Sequence, residues 1–157
     1  MTTLLSELVV EAPRERCFDL MRSVDAHLVS ATKIQATAIG GRVSGLAASG
    51  DHTTWSAVFF GCRFRLETRI TEYSRPDFFF DEQAAGAFKC FGHHYAFLSL
   101  GHARTLMSDR FFFESPLPPL GTLFDFCLKP MMAKALAARG NSIKRIAESE
   151  DWKEYLQ

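Results

Sequence analysis

Five polar side chains are candidates for chemistry because they fall in stretches where polar and apolar residues alternate: Asp81, Gln83, His93, Tyr95 and Asp109. A histidine near carboxylates can transfer protons, and amide, imidazole and phenol groups can orient a ligand. A buried carboxylate also needs a partner for purely structural reasons, because an unpaired one is costly to bury. Structural network, ligand orientation and acid–base catalysis therefore stay open for this group, and the sequence identifies no residue as catalytic.

Other reactive residue types lack the spacing that their chemistry requires. His93 and His94 are neighbours on a predicted strand, so they point to opposite faces and cannot share one metal ion. The four cysteines lie far apart without a Cys-x-x-Cys pair, which is typical of reduced thiols in the cytoplasm. The glycine-rich stretch 40–45 has no lysine after it, and no serine sits in a nucleophile elbow. We therefore expect no metal site, no cofactor and a cytoplasmic location.

The five polar side chains must lie on strands, because polar and apolar residues alternate around them with a period of two. Residues 63–73 alternate charged and apolar side chains, as expected for a strand with one buried face. Further strands are predicted at 4–10, 33–39, 53–60, 77–83, 88–99 and 104–113, with short helices at 13–21 and 24–29. A tight turn at Gly61 and a hairpin turn at 100–102 join neighbouring strands.

The less charged face of each strand is predicted to point inward. This assigns Trp55, Phe59 and Met107, among others, to the inner wall. A three-residue turn at 100–102 would place His93, Tyr95 and Phe97 on the same face as Met107 and Asp109. Phe79, Asp81 and Gln83 are placed inward partly by the family resemblance described below.

One long helix is predicted after the strands. From residue 120 apolar side chains recur at three-and-four spacing for nearly thirty residues. Pro130 lies inside it and should kink it, because proline removes a backbone hydrogen bond. Only this helix is long enough to cover the apolar face of the sheet. We predict an α+β fold, a curved antiparallel sheet of six to seven strands wrapped around the helix, with Phe124 and Met131 facing a cavity between them.

Composition limits the classes of partner. Eighteen basic residues balance eighteen acidic ones, so the chain lacks the charge footprint of a nucleic-acid binder. No apolar stretch is long enough for stable membrane insertion. The length fits one domain over residues 1–157, and zero net charge is compatible with a monomer or a weak homodimer. Fifteen phenylalanines indicate extensive apolar surfaces that face each other.

The ordered set of motifs resembles the SRPBCC superfamily of START-like and pollen-allergen-like proteins, in particular its bacterial ligand-binding and polyketide-cyclase-like branch. The matching segments span almost the whole chain: Ala12-Pro13-Arg14-Glu15, Phe18-Asp19, Gly45-Leu46, Gly50-Asp51, residues 54–61, Arg69-Ile70-Thr71, Pro76, residues 79–83, Gly86, Phe88, His93, Phe97, residues 105–109, Leu120-Gly121 and Arg139. The resemblance implies a helix-grip fold with a deep apolar cavity. The family pattern has a second histidine where Tyr95 stands, so a role for a histidine pair does not carry over.

The leading hypothesis is a binding protein for a small hydrophobic or aromatic molecule of the lipid, polyketide or isoprenoid class. Apolar contact is expected from Trp55, Phe59, Phe79, Phe97, Met107, Phe124 and Met131. Asp81, His93 and Tyr95 would fix the ligand's orientation, with Gln83 and Asp109 beside them. The alternative is a cyclase or dehydratase that acts on a polyketide-like substrate in the same cavity, with His93 or Asp81 moving protons.

Overall fold

A computed structural model describes residues 1–31, 35–116 and 119–156. Seven strands and four helices follow one another in these ranges: β1 Thr2–Val10, α1 Arg14–Met21, α2 Val24–Ser30, β2 Thr37–Gly41, β3 His52–Phe59, β4 Cys62–Ser74, β5 Phe78–Gly86, β6 Cys90–Gly101, β7 Arg104–Glu114, α3 Leu120–Glu148 and α4 Trp152–Tyr155. The predicted order of strand, two short helices, six strands and a long helix is therefore confirmed.

The seven strands form one antiparallel sheet in the order β1-β7-β6-β5-β4-β3-β2. From β2 to β7 each strand pairs with its neighbour in sequence, and β1 closes the far edge beside β7. The β3–β4 connection is the predicted tight turn, and both its residues, Phe60 and Gly61, have positive φ (51° and 76°). Such a pair of left-handed residues matches the twist of the strands that it joins.

Several strand boundaries differ from the sequence prediction, and two of these differences have a local cause. The strand expected at 33–39 begins only at Thr37, because Gln35 has a φ of 48° that no strand tolerates; residues 33 and 34 lie outside the described part of the chain. Gly86, expected at a turn, is the last residue of β5. A Cβ there would lie 2.7 Å from Leu66 Cδ1, so glycine leaves room for the Leu66 side chain of β4. The turn follows at residues 87–89, and β6 begins at Cys90.

Helix α3 lies across the concave face of the sheet, as predicted. It is 29 residues long and continues through Pro130. Its buried side chains recur at helical spacing along one stripe: Leu128, Met132, Leu136, Ile143 and Ile146. The stripe packs mainly against β1, β7, α1 and α2. The helix therefore covers only part of the sheet.

The apolar core is divided into two clusters. The first is centred on Phe18 of α1, whose ring makes edge-on contacts with Tyr73, Phe79 and Phe97 at 5.3–5.4 Å between centroids. The second joins Phe111 and Phe113 of β7 to the middle of α3. Short helices α1 and α2 hold the first cluster against the sheet, and Ser23 caps α2 by accepting a hydrogen bond from the backbone N–H of Ala26.

Candidate ligand-binding cavity

A cavity of about 550 Å³ lies between the concave face of the sheet and helices α2 and α3. Its volume falls in the range of sites that hold drug-sized molecules, roughly 300–1,000 Å³. Aromatic and aliphatic side chains form most of the sheet wall: Trp55, Ala57, Phe59, Phe64, Leu66, Ile70, Phe79, Phe88, Phe91 and Phe111. Alternate residues of β3 and β4 supply much of this wall, because successive side chains of a strand point to opposite faces.

The helix wall is formed by the inner sides of α2 and α3. Small and flexible residues of α3 face the lumen, among them Ala135, Ala138, Met131 and Met132. Alanines leave the space that the large rings of the sheet do not fill. The space exists because small side chains on one wall face a strongly curved second wall.

His93, which lines the cavity, forms a buried pair with Asp109. His93 Nδ1 lies 3.1 Å from Asp109 Oδ1, and both side chains are almost fully buried. The register explains the meeting: Tyr95 pairs with Asp109 and His93 with Phe111 across β6 and β7, so all four side chains share one face. The His93 ring also stacks on Phe111 at 4.4 Å and on Tyr95 at 5.2 Å. This packing fixes the plane of the imidazole.

Asp81 faces the cavity from β5, directly across from His93. Burial raises the pKa of this carboxyl above its ordinary value. Three neighbours oppose the rise: His93, the hydroxyl of Thr68, and the guanidinium of Arg139. Thr68 also accepts a hydrogen bond from Trp55 Nε1 at 3.1 Å. A carboxyl group with a raised pKa can donate a hydrogen bond over a wider pH range than an exposed one.

Arg139 brings a positive charge from α3 to the cavity wall. One terminal nitrogen, Nη1, donates to the hydroxyl of Tyr95, and Nη2 donates to the backbone carbonyl of Met21 at 2.9 Å. Its Nε is buried without a partner in the described part of the chain. The buried Tyr95 hydroxyl has a pKa well above 10, mainly because burial disfavours the phenolate, so it stays a neutral acceptor for Arg139.

His27 occupies the opposite helix, α2, and its ring packs on Trp55 with 4.5 Å between centroids. Burial lowers the pKa of the imidazole well below 6.5, and the nearby charges of Arg139 and His93 lower it further. The ring is therefore neutral at pH 7. Its Nδ1 is buried and has no partner among the described residues.

Six of the twelve residues predicted to bind ligand line the cavity: Trp55, Phe59, Phe79, Asp81, His93 and Met131. The other six are placed behind or beside it: Gln83, Tyr95, Phe97, Met107, Asp109 and Phe124. Phe97 and Met107 are part of the first core cluster, because α1 with the ring of Phe18 covers that end of the sheet. Gln83 donates to the carbonyl of Phe88 at 2.8 Å, and Phe124 packs on Phe60 at the β3–β4 turn.

Among the cavity residues that the sequence analysis did not name as site residues, His27 and Arg139 are the two that change the polarity of the wall. His27 lies on a weakly signalled helix and looks like an ordinary half-buried residue. Arg139 belongs to the motifs that carry the family resemblance, but a lone arginine on an amphipathic helix is most simply read as a solvated residue. A signal was available: helical spacing places Arg139 three residues after Leu136 and four before Ile143, within the apolar stripe.

Two further features of the described residues bear on function. They contain no group of three or more histidine, cysteine, aspartate or glutamate side chains arranged to hold a metal ion. None of the helices they form is long and apolar enough to cross a membrane.

Comparison with known proteins gives matches in structure and none in sequence. No family model matches the chain, and no curated protein matches it. A protein from Thermus thermophilus superimposes with a TM-score of 0.74 at 16% identity, over 92% of this chain and 95% of that one. A START superfamily protein from Mycobacterium smegmatis gives 0.66 at 15% identity, over 93% and 97%.

An enzyme is also among the similar structures. The Zhui aromatase/cyclase from a Streptomyces species matches with a TM-score of 0.66 at 10% identity, over 92% of this chain and 95% of that chain. Because these matches cover almost the full length of both partners, they confirm the fold implied by the sequence resemblance. The chain therefore has a helix-grip fold, as START-like proteins do.

Proposed function

We propose that this protein binds a small hydrophobic or aromatic molecule of the lipid, polyketide or isoprenoid class in the cavity between the sheet and α3. The observation that carries the proposal is the cavity itself, about 550 Å³ of space with a mainly apolar wall. Packed protein interiors contain few voids larger than a water molecule, so a space of this size is a feature that the sequence maintains. Filling it would remove apolar surface from water.

The residues proposed to contact the ligand are those that line the space. Trp55, Phe59, Phe79 and Met131 give apolar contact, while Asp81 and His93 offer polar groups. Asp109 and Tyr95 act on the ligand indirectly, by holding His93 and Arg139. A START superfamily protein and an aromatase/cyclase share this fold, and these two matches support the proposal that the cavity binds a ligand.

Ligand binding can be tested by native mass spectrometry of freshly purified protein and by thermal shift with a panel of lipids, sterols and aromatic ketones. A ligand at a hundred times its dissociation constant should stabilise the fold by about 2.7 kcal/mol. The discriminating variants are Ala135→Phe, which fills the lumen, and Ala133→Phe, which adds the same ring to the exposed side of α3. Only Ala135→Phe should abolish the shift. No shift with any compound, or equal shifts in both variants, would contradict the proposal.

A second candidate function, proton transfer within the same cavity, is favoured by one specific arrangement. Asp109 holds Nδ1 of His93, and Asp81 with its raised pKa lies across from the same ring. An oriented imidazole beside a carboxyl group is the geometry that general acid–base catalysis uses. The substrate class proposed for it, a polyketide-like molecule, is the one implied by the sequence resemblance, and an aromatase/cyclase shares the fold. Turnover that disappears in His93→Gln while binding persists would establish it over simple binding.

A further inference from the structure

The first turns of α3 carry apolar side chains on the side that faces solvent. Leu120, Leu123 and Phe126 are 72%, 63% and 76% exposed, and Cys127 and Pro130 are exposed beside them. Helical spacing places these five residues, the exposed apolar face, on the side away from the buried stripe of the helix. The solvent side of an amphipathic helix is ordinarily polar. Single exposed apolar residues need no explanation, but a contiguous group of them marks an interaction site.

The turn between β3 and β4 adds an aromatic ring next to this face. Phe60 is 57% exposed, and its ring lies against Phe124 of α3 with 5.7 Å between centroids. Phe60 has a φ of 51°, in the left-handed region that glycine occupies at no steric cost and a bulky side chain rarely adopts. An exposed phenylalanine at such a position indicates that the ring itself serves a purpose there.

The exposed apolar face lies beside the opening of the cavity. Met131 directly follows Pro130 and lines the cavity, and Phe59 lines it from the strand that leads into the β3–β4 turn. Lys134 and Ala137, one and two turns beyond Pro130, are exposed and also line the cavity, so the space opens to solvent along this side of the helix. A surface that covers the exposed apolar face therefore also reaches the opening.

The charges of α3 indicate what kind of surface this is. From Leu120 to Ala147 the helix carries five basic residues and one acidic residue, although the whole chain has no net charge. The acidic residue, Asp125, is buried and accepts hydrogen bonds from Ser115. Lys129 and Lys134 are exposed beside the exposed apolar face. Apolar side chains flanked by cations, without an exposed carboxylate, are complementary to an anionic lipid surface.

We propose that the protein docks reversibly on an anionic membrane surface through the exposed apolar face and Phe60, with Lys129 and Lys134 against the lipid phosphates. The apolar side chains enter the boundary between headgroups and acyl chains, as the apolar sides of interfacial helices do. The opening of the cavity then faces lipid, so an apolar ligand can pass between the bilayer and the cavity without crossing water. Docking goes beyond ligand binding, because its surface is complete whichever molecule the cavity holds.

Co-sedimentation with vesicles measures the docking. The protein should bind vesicles of equal parts phosphatidylglycerol and phosphatidylcholine more tightly than vesicles of phosphatidylcholine alone. The difference should shrink between about 0.1 M and about 0.5 M salt, because salt screens exposed charges. Lys129→Gln and Lys134→Gln should each weaken binding to the anionic vesicles about fivefold.

Matched substitutions locate the contact on the protein. Leu123→Gln and Phe126→Gln should each weaken the partition coefficient about tenfold, the factor expected when one apolar side chain is returned to water. Leu98→Gln is the control, because Leu98 is 58% exposed and lies on the face of the sheet opposite to Phe97, away from α3. This control variant should bind the anionic vesicles as tightly as the wild type.

Cys127 provides a test that needs no substitution. Its thiol lies within the exposed apolar face, so a water-soluble maleimide should label it rapidly in the free protein. Anionic vesicles should slow this labelling in proportion to the bound fraction, since docking buries the thiol in lipid. Phosphatidylcholine vesicles, under conditions where the protein stays free, should leave the labelling rate unchanged.

Several results would overturn docking on a membrane: no binding to anionic vesicles, equal binding to both vesicle types, or undiminished labelling of Cys127 in bound protein. Binding that neither Leu123→Gln nor Phe126→Gln weakens would place the contact elsewhere and overturn it as well. Sedimentation velocity tests the other occupant, a second copy, although a symmetric contact would bring the lysines of both copies together. A wild-type dimer that dissociates in Leu123→Gln would assign the face to that copy and overturn membrane docking. Ligand binding is measured without vesicles, so its outcome is separate.

Discussion

The His27 ring provides a pH-dependent test of how the cavity wall is built. Its pKa in the folded protein lies well below 6.5, mainly because burial disfavours the imidazolium. In the unfolded chain the same group has an ordinary pKa near 6.5. Between these two values the unfolded state binds one proton more than the folded state. Folding stability should therefore fall as the pH falls below 6.5, and the fall should stop once the pH passes the folded pKa.

The size of the effect follows from proton linkage. One proton of difference changes the free energy of unfolding by about 1.4 kcal/mol for each pH unit. His27→Phe removes the titrating group and keeps a ring of similar shape against Trp55. At pH 7.5 the variant should be within about 1 kcal/mol of the wild type, since replacing an unpartnered polar group by an apolar one is close to neutral. Between pH 7.5 and about pH 5.5, the stability of the variant relative to the wild type should rise by about 1.4 kcal/mol.

The assay is urea denaturation of both proteins at half-unit steps from pH 7.5 to 5. His102→Gln serves as the control, because it removes a histidine from the exposed β6–β7 turn. The difference between wild type and His27→Phe should grow as the pH falls, and the His102→Gln variant should follow the wild type. If the difference stays constant over this range, His27 is not a buried neutral imidazole and the account of the helix wall is wrong.

Three further predictions concern the core, the thiols and the long helix. Phe18→Ala should destabilise the fold by about 3–5 kcal/mol in the same denaturation assay, because Phe18 is fully buried among three rings. As a control, Phe126→Ala on the exposed side of α3 should change the stability by no more than about 0.5 kcal/mol. Cys62 and Cys127 are exposed and should react rapidly with a thiol reagent in the native state. Cys17 should react only after unfolding, because it is buried and burial raises its pKa to about 11. Labelling of Cys17 in the native state would contradict its place in the core. Residues 122–132 should exchange amide hydrogens faster than residues 133–146 and slow down when ligand binds, because Pro130 removes a helical hydrogen bond; uniform protection along α3 would contradict a role for this segment in opening the cavity.

The sequence by itself determined the elements and their faces. Alternation in β4 and the three-and-four spacing of α3 are local signals, because side-chain direction repeats every two residues in a strand and every 3.6 in a helix. Together with an assumed three-residue turn at 100–102, the same logic placed His93, Tyr95 and Asp109 on one face. The β6–β7 register confirms the shared face, although the turn itself lies at 102–103 and follows a register shift between Ser99 and Gly101. One hairpin turn sets that register within a few residues, so no distant contact was needed.

Only the tertiary structure decided which inward side chains meet open space and which meet other side chains. Phe97 and Phe79 point the same way from neighbouring strands, yet α1 covers Phe97 while Phe79 also reaches the cavity. The sequence does not show how far each helix extends over the sheet, because that depends on packing between elements far apart in the chain. The meeting of His27 and Arg139 in the helix wall has the same origin. The two residues are more than a hundred positions apart, and only the packing of α2 against α3 brings both of them to the cavity lining.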